Sequence, residues 1–131
     1  ANNLAPAINL LPYGEAFKGG LNLAIGDVNY KQKEATNKNV TDNVTDIITV
    51  QSVLSSPQDK FAIKVFDGRT LIAQQDKGKQ QFNGLDKELL ITEFNPFLNF
   101  TVSPNAKTSL AAGDINGDGF SDIVVGMGGV K

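Results

Sequence analysis

An all-β fold of stacked sheets is predicted from three features: thirteen glycines in 131 residues, short β-branched runs apolar on both sides of a pleat, and an internal repeat. Residues 21–25, 46–50, 61–66, 108–112 and 122–125 each read as a strand of about five residues bounded by Gly, Asp or Asn. Runs such as "DIIT" and "DIVV" place apolar side chains on both faces, so both sides of the sheet must be covered, as when a sheet lies between sheets. Helix is expected only around 30–38 and 85–90.

The repeat organises the chain. "LNLAIGDVN" (21–29) matches "TSLAAGDIN" (108–116), with Asp27 and Asp114 87 residues apart. After a divergent stretch the copies rejoin: "VTDNVTDIITV" (40–50) lies on "INGDGFSDIVV" (115–125), placing Asp42 on Asp118, Asn43 on Gly119 and Asp46 on Asp122. The first copy carries an insertion of about 11 residues around "YKQKEATNKNV". Upstream of each copy stands a Pro-aromatic step followed by a second aromatic, "LLPYGEAFKGG" (10–20) and "FNPFLNFTVSPN" (94–105). The unit therefore begins and ends in mid-pattern: a partial unit over 1–20, a full unit with insertions over 21–100, and a partial unit over 101–131.

"GDINGDGFSDIVV" (113–125) crowds three Asp and one Asn beside an apolar run. In D-x-N-x-D-G-x-x-D, the side chains of Asp114, Asn116 and Asp118 converge when the backbone curls tightly. Gly119 supplies the positive φ, and the Phe120 carbonyl and Asp122 carboxylate complete an all-oxygen shell. Crowded carboxylates resist ionising unless a cation neutralises them, and a flexible shell of six or seven oxygens suits Ca²⁺ better than Mg²⁺. An EF-hand or a dockerin loop needs an acid at position 12; Val125 stands there and a strand follows, so the loop joins a hairpin. The competing reading is a metal-free Asn-Gly/Asp-Gly turn, which accounts for the glycines and leaves the fourth ligand position unexplained. Asp27, Asn29, Asp42 and Asp46 keep the ligand types in the first copy, with Asn43 at the left-handed position, but the insertion interrupts that loop.

"LAAGDINGDGFSDIVVG", with "LNLAIGDVN" and "IKVFDG", resembles the FG-GAP repeat of integrin-α-type β-propellers, including bacterial calcium-binding repeat proteins, over roughly residues 8–128. The resemblance implies blades of about four antiparallel strands with the calcium loop between the first and second. Strand one would lie near 21–25, strand two at 46–50, strand three at 61–66 and strand four within 89–94. Propellers close with about four to eight blades. Roughly two blades' worth is present, which implies a piece of a larger propeller or copies completing one ring, and the fragment is the expected case. The stretch 68–87 is longer than a typical blade connection.

Composition excludes several functions. With no Cys and no His, disulfides, thiol nucleophiles and His-based acid/base chemistry are absent. A net charge of −2 without a Lys/Arg cluster argues against nucleic acid. No apolar run approaches the roughly 18 residues of a membrane span, and the N-terminus lacks basic and apolar leader regions. The chain begins with Ala rather than Met, as a processed or excised product or a renumbered chain would. The aromatics Phe61, Phe66, Phe94, Phe97 and Phe100 are expected in the core between blades, and the Lys-rich insert "KQKEATNK" in a solvated loop. The sequons at Asn39, Asn43 and Asn99 are chance matches in an Asn-rich chain.

The function expected from the resemblance is a calcium-binding, non-enzymatic recognition or adhesion module of an extracellular, cell-surface or periplasmic protein, with a protein or glycan ligand. A piece of a calcium-dependent, lyase-like polysaccharide enzyme and a self-assembling surface-layer or filament subunit are the alternatives. The enzyme would require a Lys, Arg or Tyr facing a cavity beside calcium, and nothing in the sequence places Tyr13 or Tyr30 near Asp114.

Overall fold

The computed structural model describes residues 8–33, 38–56 and 58–130. Its centre is a four-stranded antiparallel sheet in which β2 (Leu21–Gly26), β5 (Asp46–Gln51), β6 (Ile63–Phe66) and β8 (Leu90–Phe94) are neighbours in that order. The four expected strands form, in the expected sequence. A long hairpin of β9 (Val102–Gly113) and β10 (Asp122–Val130) stacks on this sheet.

The insertion forms a small antiparallel hairpin, β3 (Tyr30–Lys33) with β4 (Lys38–Thr41). This replaces the helix expected at 30–38: cross-strand pairing of Tyr30 with Thr41 and Lys33 with Lys38 takes up the backbone groups. Residues 34–37 of the Lys-rich insert lie outside the described residues. In the second expected helical stretch, only a 3-10 turn, Lys87–Leu89, forms, capped by the Asp86 carboxylate. The sequence reading missed the one α-helix among the described residues, α1 (Gly68–Asp76), where Asp67 caps the first turn by accepting from the Arg69 N–H and the Thr70 hydroxyl. Asp-Gly there starts a helix instead of turning a hairpin. A short parallel pair, β1 (Asn9–Leu11) with β7 (Gln81–Asn83), was also unforeseen.

Both faces of the central strands are covered. On one face, Ile48, Val50, Ile63 and Val65 pack with Phe61 and Phe97 against Leu110, Ala112, Ile123 and Val125 of the hairpin. Phe61 and Phe97 meet edge to face, 5.8 Å apart at 84°. On the other face, Ile47 and Phe66 pack with Leu71 of α1, Phe82 of β7 and Leu89. Three of the five predicted core aromatics are thus buried, although Phe66 sits beneath α1 rather than between the sheets. Phe94 and Phe100 are exposed, at 43% and 59%: β8 is the outermost strand of its sheet, and Phe100 closes a surface turn on Phe97.

The repeat is structural. Gly26 pairs with Asp46 as Gly113 pairs with Asp122, and Leu23 with Thr49 as Leu110 with Val125. The two hairpins are one design in identical register, and they bring both acidic loops to the same end of the stacked sheets. There the Ser121 N–H donates to the Asp27 carbonyl at 2.9 Å.

Candidate metal centre

In the second loop, the Asp114 carboxylate accepts from Gly117 (2.7 Å) and Asp118 (3.1 Å) through Oδ1, and from Gly119 (2.8 Å) through Oδ2. Asn116 Oδ1 accepts from Asp118, and Asp118 Oδ1 from Phe120. Asp122 Oδ2 reaches back to the Ile115 N–H at 2.9 Å. Such a curl requires a positive φ at Gly119, which stands at +92°. These bonds fix Asp114, Asn116, Asp118 and Asp122 around one tight turn, with the side chains on the loop's own N–H groups.

The first loop repeats that arrangement despite its insertion. The Val28 N–H donates to Asp46 Oδ2 at 3.0 Å, the counterpart of Ile115 to Asp122. The Val44 N–H donates to Asp42 Oδ1 at 2.8 Å, the counterpart of Phe120 to Asp118. Asn43 holds φ +59° where Gly119 holds +92°, a conformation that Asn tolerates better than most side chains. The insertion has not destroyed the turn, because it leaves as a separate hairpin between Asn29 and Asp42.

The two loops differ in their surroundings. Asp46 is fully buried and its Oδ1 accepts the Gly68 N–H at 3.0 Å. Burial pushes the Asp46 carboxyl up, the Gly68 and Val28 N–H groups oppose this, and Asp42 and Asp67 reinforce it. The Asp27 carboxyl is also raised, by burial first and by Asp42, against the Asn43 N–H and the Thr41 hydroxyl. Asn29 Nδ2 donates to Asp67 Oδ1 at 3.3 Å. Asp27 Oδ1 and Asn29 Oδ1 are buried with no hydrogen-bond partner, and they are positions 1 and 3 of the loop motif. Buried acceptors left unpaired are costly and require a donor or a cation.

Among the described residues no three Asp or Glu side chains stand in a metal-holding group. The donor set of each loop is nevertheless all oxygen and mixes carboxylate with Asn amide, as a hard cation requires. In the first loop the two orphaned oxygens stand at ligand positions 1 and 3, while Arg69 Nε already occupies Asp42 Oδ2 at 3.3 Å.

Sequence reasoning missed three contributors: Asp67, Gly68 and Arg69. "VFDG" was read only as a repeat marker. Its Asp caps α1 and holds Asn29, and its Gly places an N–H on Asp46. Gly68 has no alternative, since a Cβ there would lie 1.8 Å from the Thr45 carbonyl oxygen. An Asp preceding "GRTLIAQQD" was the available helix-start signal.

Neither acidic loop lines the three cavities described, at Leu54 and Phe97, at Tyr13 and Lys60, and at Leu11 and Phe82. Tyr13 bonds Thr49 and the Ala62 carbonyl, in mid-sheet. Burial raises its hydroxyl to about 12. The side chain of Tyr30 lies outside the described residues.

No curated protein and no solved structure matches the chain. The family model described as FG-GAP repeat matches residues 108–129, which run from β9 through the acidic loop into β10. The match covers the second hairpin, which is thus similar to an FG-GAP repeat.

Proposed function

We infer that the chain is a calcium-braced, non-enzymatic recognition module, part of a larger β-propeller whose ligand is a protein or glycan. Calcium would be held by Asp114, Asn116, Asp118, the Phe120 carbonyl and Asp122 in the second loop, and by Asp27, Asn29, Asp42 and Asp46 in the first. The observation that carries the reading is the pair of orphaned oxygens, Asp27 Oδ1 and Asn29 Oδ1, in a loop whose remaining bonds repeat those of the second. FG-GAP repeats belong in general to recognition modules of extracellular or surface proteins, which supports a setting of millimolar calcium, where loops of about 10⁻⁴ to 10⁻³ M affinity would be filled.

Thermal unfolding with 10 mM Ca²⁺ and with a chelator tests this. At about 10 to 100 times Kd, one site adds roughly 1.4–2.7 kcal/mol, which raises the midpoint by about 5–15 °C. Asp118→Ala should lose the share due to the second loop. Superimposable parent curves in the two buffers would refute a structural metal.

A specific surface supports the larger propeller. Thr108, Leu110 and Ala112 are the β9 residues that face the first sheet, and their repeat equivalents on β2 are Leu21, Leu23 and Ile25. These three are 40%, 58% and 61% exposed and lie on the face of β2 away from the hairpin. A further blade, or another copy of the chain, would cover them as β9 covers the opposite face. Size-exclusion chromatography with light scattering should show self-association of this chain that Leu23→Lys reduces; a strict monomer that binds no other segment at this face would count against it.

A further inference from the structure

The cavity at Leu54 and Phe97 has a volume of about 300 Å³ and lies where the connection from β5 to β6 meets the turn that leads into β9. Buried Phe61 and Phe97 give it an aromatic wall, and Phe100, 59% exposed, stands at its mouth. Both lips are held by the chain itself. On one, the Asp59 N–H donates to the Ser56 carbonyl at 3.1 Å and Asp59 Oδ2 accepts the Ser56 N–H at 3.0 Å. Buried Gln51 clamps the residues that follow, donating to the Lys60 carbonyl at 3.1 Å and accepting from the Ala62 N–H at 2.9 Å. On the other lip, Asn95 Oδ1 accepts the Phe97 N–H at 2.8 Å, and the Phe100 N–H donates to the Phe97 carbonyl at 3.0 Å. These bonds leave polar groups of the lining unused: among the described residues, Asp59 Oδ1, the Lys60 ammonium, Asn95 Nδ2 and the Thr101 hydroxyl have no partner.

We propose that this cavity is a saccharide site, which holds one sugar ring of a neutral glycan against Phe97 and Phe100, with Asp59, Lys60, Asn95 and Thr101 on its hydroxyls. The proposal rests on the recognition reading above, takes up its glycan half and involves no metal. A sugar ring presents an apolar C–H face and a circle of hydroxyls, each both donor and acceptor. The lining answers both: aromatic surface for the face, and for the hydroxyls a carboxylate that only accepts, two nitrogens that only donate and a hydroxyl that does either. Asp59 and Lys60 cancel in charge, so the lining favours neither an anion nor a cation. The volume is at the small end of ligand sites, which suits a single ring. Lips held in advance lose little freedom on binding. The repeat sharpens the choice of cavity. Tyr13 and Phe17, from the first Pro-aromatic step, line a second cavity of about 300 Å³ that shares Asp59 and Lys60. There the Tyr13 hydroxyl is committed to Thr49 and Ala62, and the Lys64 ammonium covers its ring at 5.0 Å, so that copy offers no open aromatic face at Tyr13.

The test is an array of neutral oligosaccharides of glucose, galactose, mannose and N-acetylglucosamine, with acidic oligogalacturonate beside them, probed with the full chain. Hits are then titrated calorimetrically into the parent, Phe100→Ala and Thr101→Val. Both side chains are exposed, so both variants should keep the parental unfolding midpoint. Thr101→Val, which is isosteric, decides the outcome if Phe100→Ala does not. A neutral saccharide should bind, Phe100→Ala should weaken it about tenfold, and Thr101→Val about fivefold. The affinity should be the same at about 0.1 M and about 1 M NaCl, because no charge pair carries it. Affinity unchanged in both variants, or binding of the acidic saccharide alone with loss at high salt, would overturn the proposal. Saccharides silent beside hits on an array of extracellular proteins would overturn the saccharide assignment and leave the recognition reading standing. Silence on both arrays would overturn both.

Discussion

Gly68→Ala should destabilise the protein by about 3 kcal/mol or more, read as a lowered denaturant midpoint without a change of slope. A methyl group at this position would lie 1.8 Å from the Thr45 carbonyl oxygen and 3.1 Å from Val44 Cγ1, and backbone cannot yield as a flexible side chain does. Relief requires the chain after β6 to withdraw from β5. That movement also draws the Gly68 N–H off the buried Asp46 carboxylate and shifts the start of α1, whose Leu71 is packed with Phe66, Phe82 and Leu89. The cost therefore combines backbone displacement, a lost charge-assisted bond and loosened packing. Near-parental stability would mean that the close approach of β5 to the "VFDG" turn is not part of the fold.

Asp46→Ala should cost about 3–5 kcal/mol. The side chain is fully buried and accepts from the Val28 and Gly68 N–H groups, each at 3.0 Å. Removing it strands one buried and one partly buried donor, each worth roughly 1–3 kcal/mol when left unpaired. Asp46→Asn retains one good acceptor and turns an N–H towards the second donor, so it should fall about midway. Equal stability of Asp46→Asn and the parent would show that one of the two bonds contributes nothing. Because Asp46 lies under the first loop, either variant should also diminish any calcium stabilisation arising from Asp27, Asn29 and Asp42.

Much of the architecture was legible because it is written in local signals. Strands β2, β5, β6, β10 and the second half of β9 fall on β-branched, glycine-bounded runs legible in the sequence, β8 follows from the family resemblance, and the repeat fixes the register of both hairpins. The acidic positions were legible for the same reason, since a turn at Gly119 or Asn43 forces its neighbours inward. What escaped was set by tertiary partners. Tyr30–Lys33 and Lys38–Thr41 are polar enough to pass for a solvated helix, and only pairing with each other makes them strands. Helix α1 is weakly amphipathic and holds because Asp67 caps it and Leu71 finds Phe66 and Phe82, residues distant or unremarkable in sequence. The pairing of Arg69 with Asp42 is a contact 27 residues away, made from a helix that the sequence did not announce.

The lyase-like alternative would need a cationic or phenolic group free beside a loop. Arg69 is beside the first loop, but its guanidinium is committed to Asp42, and Tyr13 is committed to Thr49 and Ala62.

The central claim is that two copies of one hairpin each close around an ion. A crystal structure from crystals grown in excess CaCl₂, with anomalous difference density used to locate calcium, tests it most directly. The account predicts one peak in each loop, with Asp27 Oδ1 and Asn29 Oδ1 about 2.3–2.6 Å from the first ion and Asp114, Asn116, Asp118 and Asp122 around the second. Loops free of anomalous density, with water or a rotated Thr41 hydroxyl satisfying the two buried oxygens, would contradict it.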